Sequence, residues 1–377
     1  MAAILKTSNN SIAAIFSSGN AFGQTINIQL SGADSETNFV CMNQAQLRLR
    51  ISTETDGNVP ISINIKKPVI SWITVYDITL NFTDGSTKRF ATQAQRGVVG
   101  NILQLSNNSF SNTSDNLINN LIIPATVNSY TTYEYTIALQ YLVDAFMSKR
   151  YLSIKNMTLN ATFDSVSNIF STGGGSVPKI NLQGVYLDFQ TYKLDLAKTE
   201  QRLLHFDIHS IYVAGGFVKA GQSNFTQTIS IPGSLMCLFY CFMPNDSSKI
   251  TDYNAWNNST VNYQSLQSMS NKLYPTNPNY DTNLNNPTIG TNRHYNEYLS
   301  AINKLCPNTD LYITYERYVS SYRFYTISTY NHNMTSGSYT LQVNQTAPAP
   351  EDVKVLMFGL YIPTEYYKVG EHVRITN

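Results

Sequence analysis

Two apolar runs in this chain repeat one pattern at a wide interval, and that repetition limits the fold more than any other feature. Val185-Tyr186-Leu187-Asp188-Phe189 leads into Thr191-Tyr192-Lys193-Leu194. Val355-Leu356-Met357-Phe358-Gly359-Leu360-Tyr361 leads into Glu365-Tyr366-Tyr367-Lys368-Val369. Each run closes a block of short strand-like segments, and a charged connector from Ala197 to Arg202 follows the first. The chain therefore reads as two β blocks of similar size joined by a short link. Its length agrees, because 377 residues exceed what one core usually serves, and two domains of roughly 150–200 residues each are expected.

The prevailing period is two, the signature of half-buried strands. Thr25 to Leu30, Gln46 to Ile51 and Pro60 to Ile65 alternate polar and apolar residues, with Arg48 and Arg50 on the wet face of the second. Trp72 to Phe82, a turn at Asp84-Gly85 and a return through Lys88-Arg89-Phe90 predict a hairpin. Tyr151 to Lys155 and Met157 to Phe163 continue the pattern. Later strands are expected at about 205–213, 225–231, 235–243, 311–319, 322–329, 338–343 and 353–362. Helical spacing is rare: Gly97 to Leu105, Ile137 to Phe146, and Tyr295 to Leu305, which Pro307 would end. The segment 244–291 opens on Pro244-Asn245-Asp246, is crowded with Asn, Ser, Tyr and Pro, and reads as one long loop. Thr172 to Ser176 is a second flexible tip. Many strands with few helices point to antiparallel sandwiches and exclude a parallel α/β sheet.

Charged residues make up 13% of the chain and the net charge is +1, so no global field steers it to nucleic acid. Asn, Ser, Thr and Gln dominate the polar remainder. Neutral amides and phenols cost less to desolvate than charges, which suits a protein whose neighbours are copies of itself. Codon bias toward A and T would produce the same composition, and the sequence alone leaves both causes open. The four cysteines, Cys41, Cys237, Cys241 and Cys306, are too scattered for a disulfide framework. Cys237 and Cys241 fall on one face of a strand and are expected as buried thiols. No stretch near the N-terminus resembles a signal peptide, and no run approaches a membrane span.

Catalytic signatures are missing from the sequence. His205 and His209 sit four apart in a strand-like context, about 13 Å end to end, too far to share one zinc. His294, His332 and His372 are isolated. No nucleophile elbow, phosphate loop or zinc-protease motif occurs. Asp77, Asp188 and Asp207 alternate with apolar neighbours as a wet strand face would. Lys66-Lys67, Lys88-Arg89 and Lys149-Arg150 are only pairs, which argues against packaging RNA by charge. The sequons at Asn81, Asn156, Asn160, Asn224 and Asn333 follow from the abundance of Asn, Ser and Thr. No catalytic, cofactor-binding or metal-binding residue is assigned, and no cofactor is expected.

The order of these segments resembles the double jelly-roll major capsid proteins of icosahedral DNA viruses, the adenovirus and tailless-bacteriophage lineage. Thr136 to Phe146 followed by Tyr151-Leu152-Ser153-Ile154 looks like that family's strand, short helix and returning strand. In the second block, the long loop after Cys241, the Tyr-rich segments at 311–329 and the closing strand at 353–362 look like its second roll. The resemblance covers nearly the whole chain. It implies an all-β fold of two eight-stranded antiparallel jelly rolls side by side, with a few short helices. The boundaries are then an N-terminal arm at 1–20, a first roll at 21–196 and a second roll at 203–377 carrying the long loop 244–291. It also implies a non-enzymatic major capsid protein of the virion, assembled inside the host cell as pseudo-hexagonal homotrimers that tile a shell. Its partners would be itself, minor capsid or penton proteins, and an internal membrane reached by the arm, with no sequence-specific nucleic acid. Ile4, Leu5, Ile12, Ile15 and Phe16 would order the arm on assembly, so deleting residues 1–18 would weaken particles and spare trimers. The loop 244–291 would form an outward or intersubunit surface, or else a disordered insertion. Two other readings stay open: a carbohydrate-binding spike or adhesin using Trp72 and Trp256, and a glycoside hydrolase with two carboxylates.

Overall fold

The computed structural model describes residues 4–31, 38–54, 62–92, 97–103, 122–124, 131–143, 151–172, 179–194, 210–245, 261–274, 287–305, 314–329, 337–363 and 372–373, apart from short breaks inside these ranges. The chain divides into two compact units. The first comprises Met1–Asn101, Asp115–Phe206 and Tyr366–Asn377, and the second Ile102–Ser114 and Asp207–Glu365.

The first unit contains β1 (Ile4–Ala13), β2 (Thr25–Ser31), β3 (Asn38–Cys41), β4 (Gln46–Glu54), β5 (Ser62–Ile65), β6 (Ile73–Phe82), β7 (Thr87–Ala91), β8 (Ile122–Pro124), β9 (Thr131–Ala138), β10 (Tyr151–Leu152), β11 (Ile154–Phe163), β12 (Phe170–Thr172) and β13 (Lys179–Leu194). Set aside the short β3, β5, β8, β10 and β12, and eight main strands remain. One sheet then orders them first, eighth, third, sixth, as β1-β13-β4-β9. The other orders them second, seventh, fourth, fifth, as β2-β11-β6-β7. That interleaving is a jelly roll.

Alternation in the sequence produces the layer between the sheets. From Tyr76 to Phe82 in β6 and from Met157 to Phe163 in β11, every second side chain is buried. Their outward neighbours are Asp77, Thr79 and Asn81 on one strand and Thr158, Asn160 and Thr162 on the other. The β6–β7 hairpin closes at Gly85, whose φ of 86° is one that glycine adopts without strain. Trp72 is fully buried beneath this layer, where its Nε1–H donates to the Lys67 carbonyl at 3.1 Å. The rings of Phe22, Tyr135 and Phe170 meet it edge to face at 5.4–6.0 Å.

The second unit repeats the arrangement with β14 (Ser210–Val218), β15 (Asn224–Ile231), β16 (Gly233–Pro244), β17 (Val261–Ser268), β18 (Asn271–Tyr274), β19 (Tyr325–Ser328), β20 (Gly337–Gln345) and β21 (Val353–Pro363). Its sheets run β14-β21-β16-β19 and β15-β20-β17-β18, again first–eighth–third–sixth and second–seventh–fourth–fifth. The two runs that the sequence repeats lie in β13 and β21, the eighth strand of each roll. Ile229, Leu238, Tyr240, Leu266, Leu341 and Met357 are among the residues that fill the second core.

Several expectations differ from this arrangement. Residues 1–20 are not a separate arm: Ile4–Ala13 is the first strand of the first roll, paired along β13 from Leu194 to Tyr186. Deleting residues 1–18 would therefore remove an edge strand and test folding as well as assembly. Its Lys6-Thr7-Ser8-Asn9-Asn10-Ser11 stretch hides the strand, because polar residues fill both parities. The segment 244–291 is not one loop. It contains β17 and β18, and the helix Pro287–Leu305 begins within it, with proline at a position that needs no backbone donor. Residues 315–320 form a helix and not a strand. One turn sets Tyr315 and Tyr318 on the same face, 5.4 and 5.2 Å from Tyr295. Ile137 to Phe146 supplies the end of β9 and a 3₁₀ turn at Leu139–Tyr141, and residues past 143 lie outside those described. The first unit also takes in the chain's end, where β22 (His372–Val373) pairs with β10.

β17 escapes a hydrophobicity pattern because its buried face is partly polar. Gln264 is 1% exposed; its Oε1 accepts from the Tyr240 hydroxyl at 2.6 Å and its Nε2 donates to the Thr326 carbonyl at 3.3 Å. Burial pushes the Tyr240 hydroxyl pKa well up, so it stays a neutral donor. Gln264→Leu should cost about 1–3 kcal/mol by stranding that hydroxyl. A lower urea midpoint at unchanged slope would register the loss.

Candidate assembly surface

On the sheet β1-β13-β4-β9, Arg48, Asp188 and Glu134 form one linked group. Arg48 on β4 donates from Nε to Asp188 Oδ2 at 2.8 Å, from Nη1 to Glu134 Oε1 at 3.3 Å, and from Nη2 to the Ser11 hydroxyl at 3.3 Å. Ser11 in turn donates to Asp188 Oδ1 at 2.6 Å. The guanidinium also lies 4.6 Å from the centre of the Tyr186 ring. One arginine therefore ties together all four strands of the sheet while pairing with two carboxylates. On the other sheet, Arg89 forks onto Asp77 and holds its carboxyl below the usual aspartate range.

Elsewhere the outward rows include cross-strand pairs of hydroxyls and amides. Thr25 meets Thr162 at 2.8 Å and Asn27 donates to Asn160 at 2.7 Å across β2 and β11. In the second unit Thr228 meets Thr340 at 3.0 Å and Ser230 meets Ser338 at 3.2 Å across β15 and β20. No Asp, Glu, Lys or Arg occurs between Lys219 and Asp246, or between Arg323 and Glu351. The outward rows of β15 and β20 are consequently free of charge. Burying such rows against a like surface strands no ion.

The sequence matches no family model, and no curated protein is similar to it in sequence. Solved structures are similar in shape. A chain of the Sputnik virophage aligns over 96% of this chain and 86% of its own length, with TM-score 0.56 and 9% identity. The Faustovirus major capsid protein aligns over 100% and 91%, with TM-score 0.56 and 7% identity. The mavirus major capsid protein aligns over 93% and 86%, with TM-score 0.50 and 11% identity. The fold is a double jelly roll.

Residues singled out for chemistry fall within this double jelly roll as follows. Cys237 and Cys241 are buried thiols on one face of β16, and burial pushes the Cys241 thiol far above its ordinary range. His294 is buried, with Nε2 3.0 Å from the Val261 carbonyl and its ring edge-on to Tyr325 at 4.9 Å. His372 lies in β22. His205, His209, His332, Asp207, Trp256, Asn333 and Cys306 lie outside the described residues. Among the described residues no three His, Cys, Asp or Glu side chains gather as a metal site would require. Asp77 and Asp188 face arginines, not each other. Trp72, offered above as a sugar platform, is a core residue with no exposed face. Asn81 and Asn160 are engaged by Thr87 and Asn27.

One ion pair that the sequence does not signal stands at the rim of the first roll. Lys67 bonds to Asp164 Oδ2, while Asp164 Oδ1 accepts from the Ser165 N–H at 2.7 Å and the Asn168 amide at 2.8 Å. Burial pushes this carboxyl up, but Lys67, Asn168 and Ser165 outweigh it and hold the pKa below the ordinary value. A lowered native pKa means the contribution is present above the unfolded value near 4 and is lost as pH falls through the native one. Asp164→Asn should therefore reduce stability at pH 7 more than at pH 2–3. Thermal unfolding across that range measures the difference.

Proposed function

We propose that this chain is a structural major capsid protein that associates with copies of itself to build the shell of a virion. The observation carrying this reading is one strand order found twice in a single chain, in a fold shared over nearly full length with the mavirus and Faustovirus major capsid proteins. Fold alone does not assign function. The surface supplies the physical support: outward rows of hydroxyls and amides, with charges such as Arg48, Asp188 and Arg89 already neutralised by partners within the subunit. Two similar rolls in each subunit let three copies present six similar sides, the outline of a pseudo-hexagonal tile. The working state is then a homotrimer that packs with others into an icosahedral lattice, with minor capsid or penton proteins at positions that trimers cannot fill. The chain's task is assembly, without catalysis.

Purified protein should run as a trimer by size-exclusion chromatography with light scattering, and electron micrographs of concentrated material should show closed particles or hexagonal sheets. A monomer at all concentrations, or one retained on a glycan column, would sink this reading.

A further inference from the structure

Native sheets guard an exposed edge with charge, proline, a bulge or a covering segment. The edge strands β2, β7 and β9 of the first unit follow that rule. β7 contains Lys88 and Arg89, β9 contains Glu134, and β2 is flanked by the bridge from Ile15 to Asn27. β15 differs. It ends the sheet β15-β20-β17-β18, and among the described residues no strand pairs with its outer edge. It runs 8 residues in unbroken register with β20, from Asn224 opposite Asn344 to Ile231 opposite Gly337. It contains no charged residue, and Pro232 stands only beyond its end. Asn224, Thr226, Thr228 and Ser230 are all exposed. At the neighbouring corner Phe217 is 57% exposed, next to Gly216, where a Cβ would meet the Phe225 ring at 2.8 Å.

We infer that β15 is a docking edge for a second copy of this chain, pairing antiparallel with the same strand of its neighbour. The inference rests on the self-assembly reading above and names the surface that serves it. Pairing centred on Thr228 sets Thr228 against Thr228 and Thr226 against Ser230. Such hydroxyl pairs are the kind that β15 already makes with Thr340 and Ser338 on its inner side. The occupant is a copy because the strand is complementary to itself. A two-fold contact buries the same neutral patch twice, whereas an acidic or basic partner would lose its hydration and find no opposite charge. Backbone donors and acceptors supply the attraction, as in other strand additions at sheet edges.

Hydrogen exchange on the wild-type protein, assembled and dissociated, tests this. Amides of residues 225–231 not already bonded to β20 should exchange roughly tenfold or more slowly in the assembled state. The double variant Thr226→Lys/Thr228→Lys should lose that protection and need about tenfold more protein to assemble, with wild-type circular dichroism and melting in the unassembled state. Wild-type protein that assembles without protecting these amides overturns the β15 contact and leaves the capsid reading standing. So does a folded double variant that assembles normally. Wild-type protein that never associates overturns the capsid reading itself. If the double variant fails to fold, wild-type exchange decides alone.

Discussion

The rest of this structure depends on the placement of the eighth strand of each roll in the middle of a sheet. β13 pairs with β1 on one side and with β4 and β3 on the other, and β21 lies between β14 and β16. The last strand made is thus the one that holds the first and the third. Neither sheet can close until about 150–190 residues of chain have come together, the kind of non-local closure that slows folding. Both strands are correspondingly apolar: Leu182, Val185 and Leu187 in β13, and Val355, Leu356, Met357 and Leu360 in β21, are at most 1% exposed. The sequence repeats that pattern because the topology makes the same demand at both positions.

Outward faces follow a second rule, economy of charge. In the first roll Arg48, Glu134, Asp188 and Ser11 satisfy one another across four strands. Each link is partly exposed and worth little alone, since exposed pairs contribute about 0–1 kcal/mol. Their collective effect is to leave a sheet face that presents no unpaired ion from this group. The second roll reaches the same result by omission, with long stretches that contain no charged residue at all. A surface prepared in either way can be taken out of water without the large penalty of an unpaired charge.

What could be read in advance was set by where side chains obey alternation. β2, β4, β6, β11, β15 and β20 were legible because one face is apolar and the other is Thr, Asn, Gln or Arg. β17 was not, since Gln264 and Ser265 are buried and a polar residue at a core position looks like a loop. β1 was missed because its residues are polar on both parities. The helix at Tyr315–Ser320 was misread as a strand because Tyr and Val favour strands, whereas here the contact of Tyr318 with Tyr295 and Tyr298 decides. The burial of Trp72 could not be seen from its neighbours, because three rings from distant parts of the sequence enclose it. The proposed assembly surface leaves no motif; only the thinness of charge pointed toward it.

The two rolls share a strand order, yet their equivalent sheets are covered differently. In β4 of the first roll, Leu47, Leu49 and Ile51 face the core while Arg48 and Arg50 face out. Its counterpart in the second roll, β16, is buried on both faces. Leu238, Tyr240 and Phe242 belong to the core, and Cys237, Phe239 and Cys241 on the opposite face are no more than 1% exposed. Phe239 stacks on Phe358 with ring centres 4.7 Å apart, extending an apolar layer outside the sandwich. A strand that is apolar on both faces cannot carry a polar outer row, so this sheet of the second roll has little to offer to solvent. The exposed polar rows of that roll must then lie on the other sheet, where β15 and β20 hold their threonines and serines. Identical topology thus yields two unlike surfaces in one subunit, which is what a single chain needs if it is to meet more than one kind of neighbour.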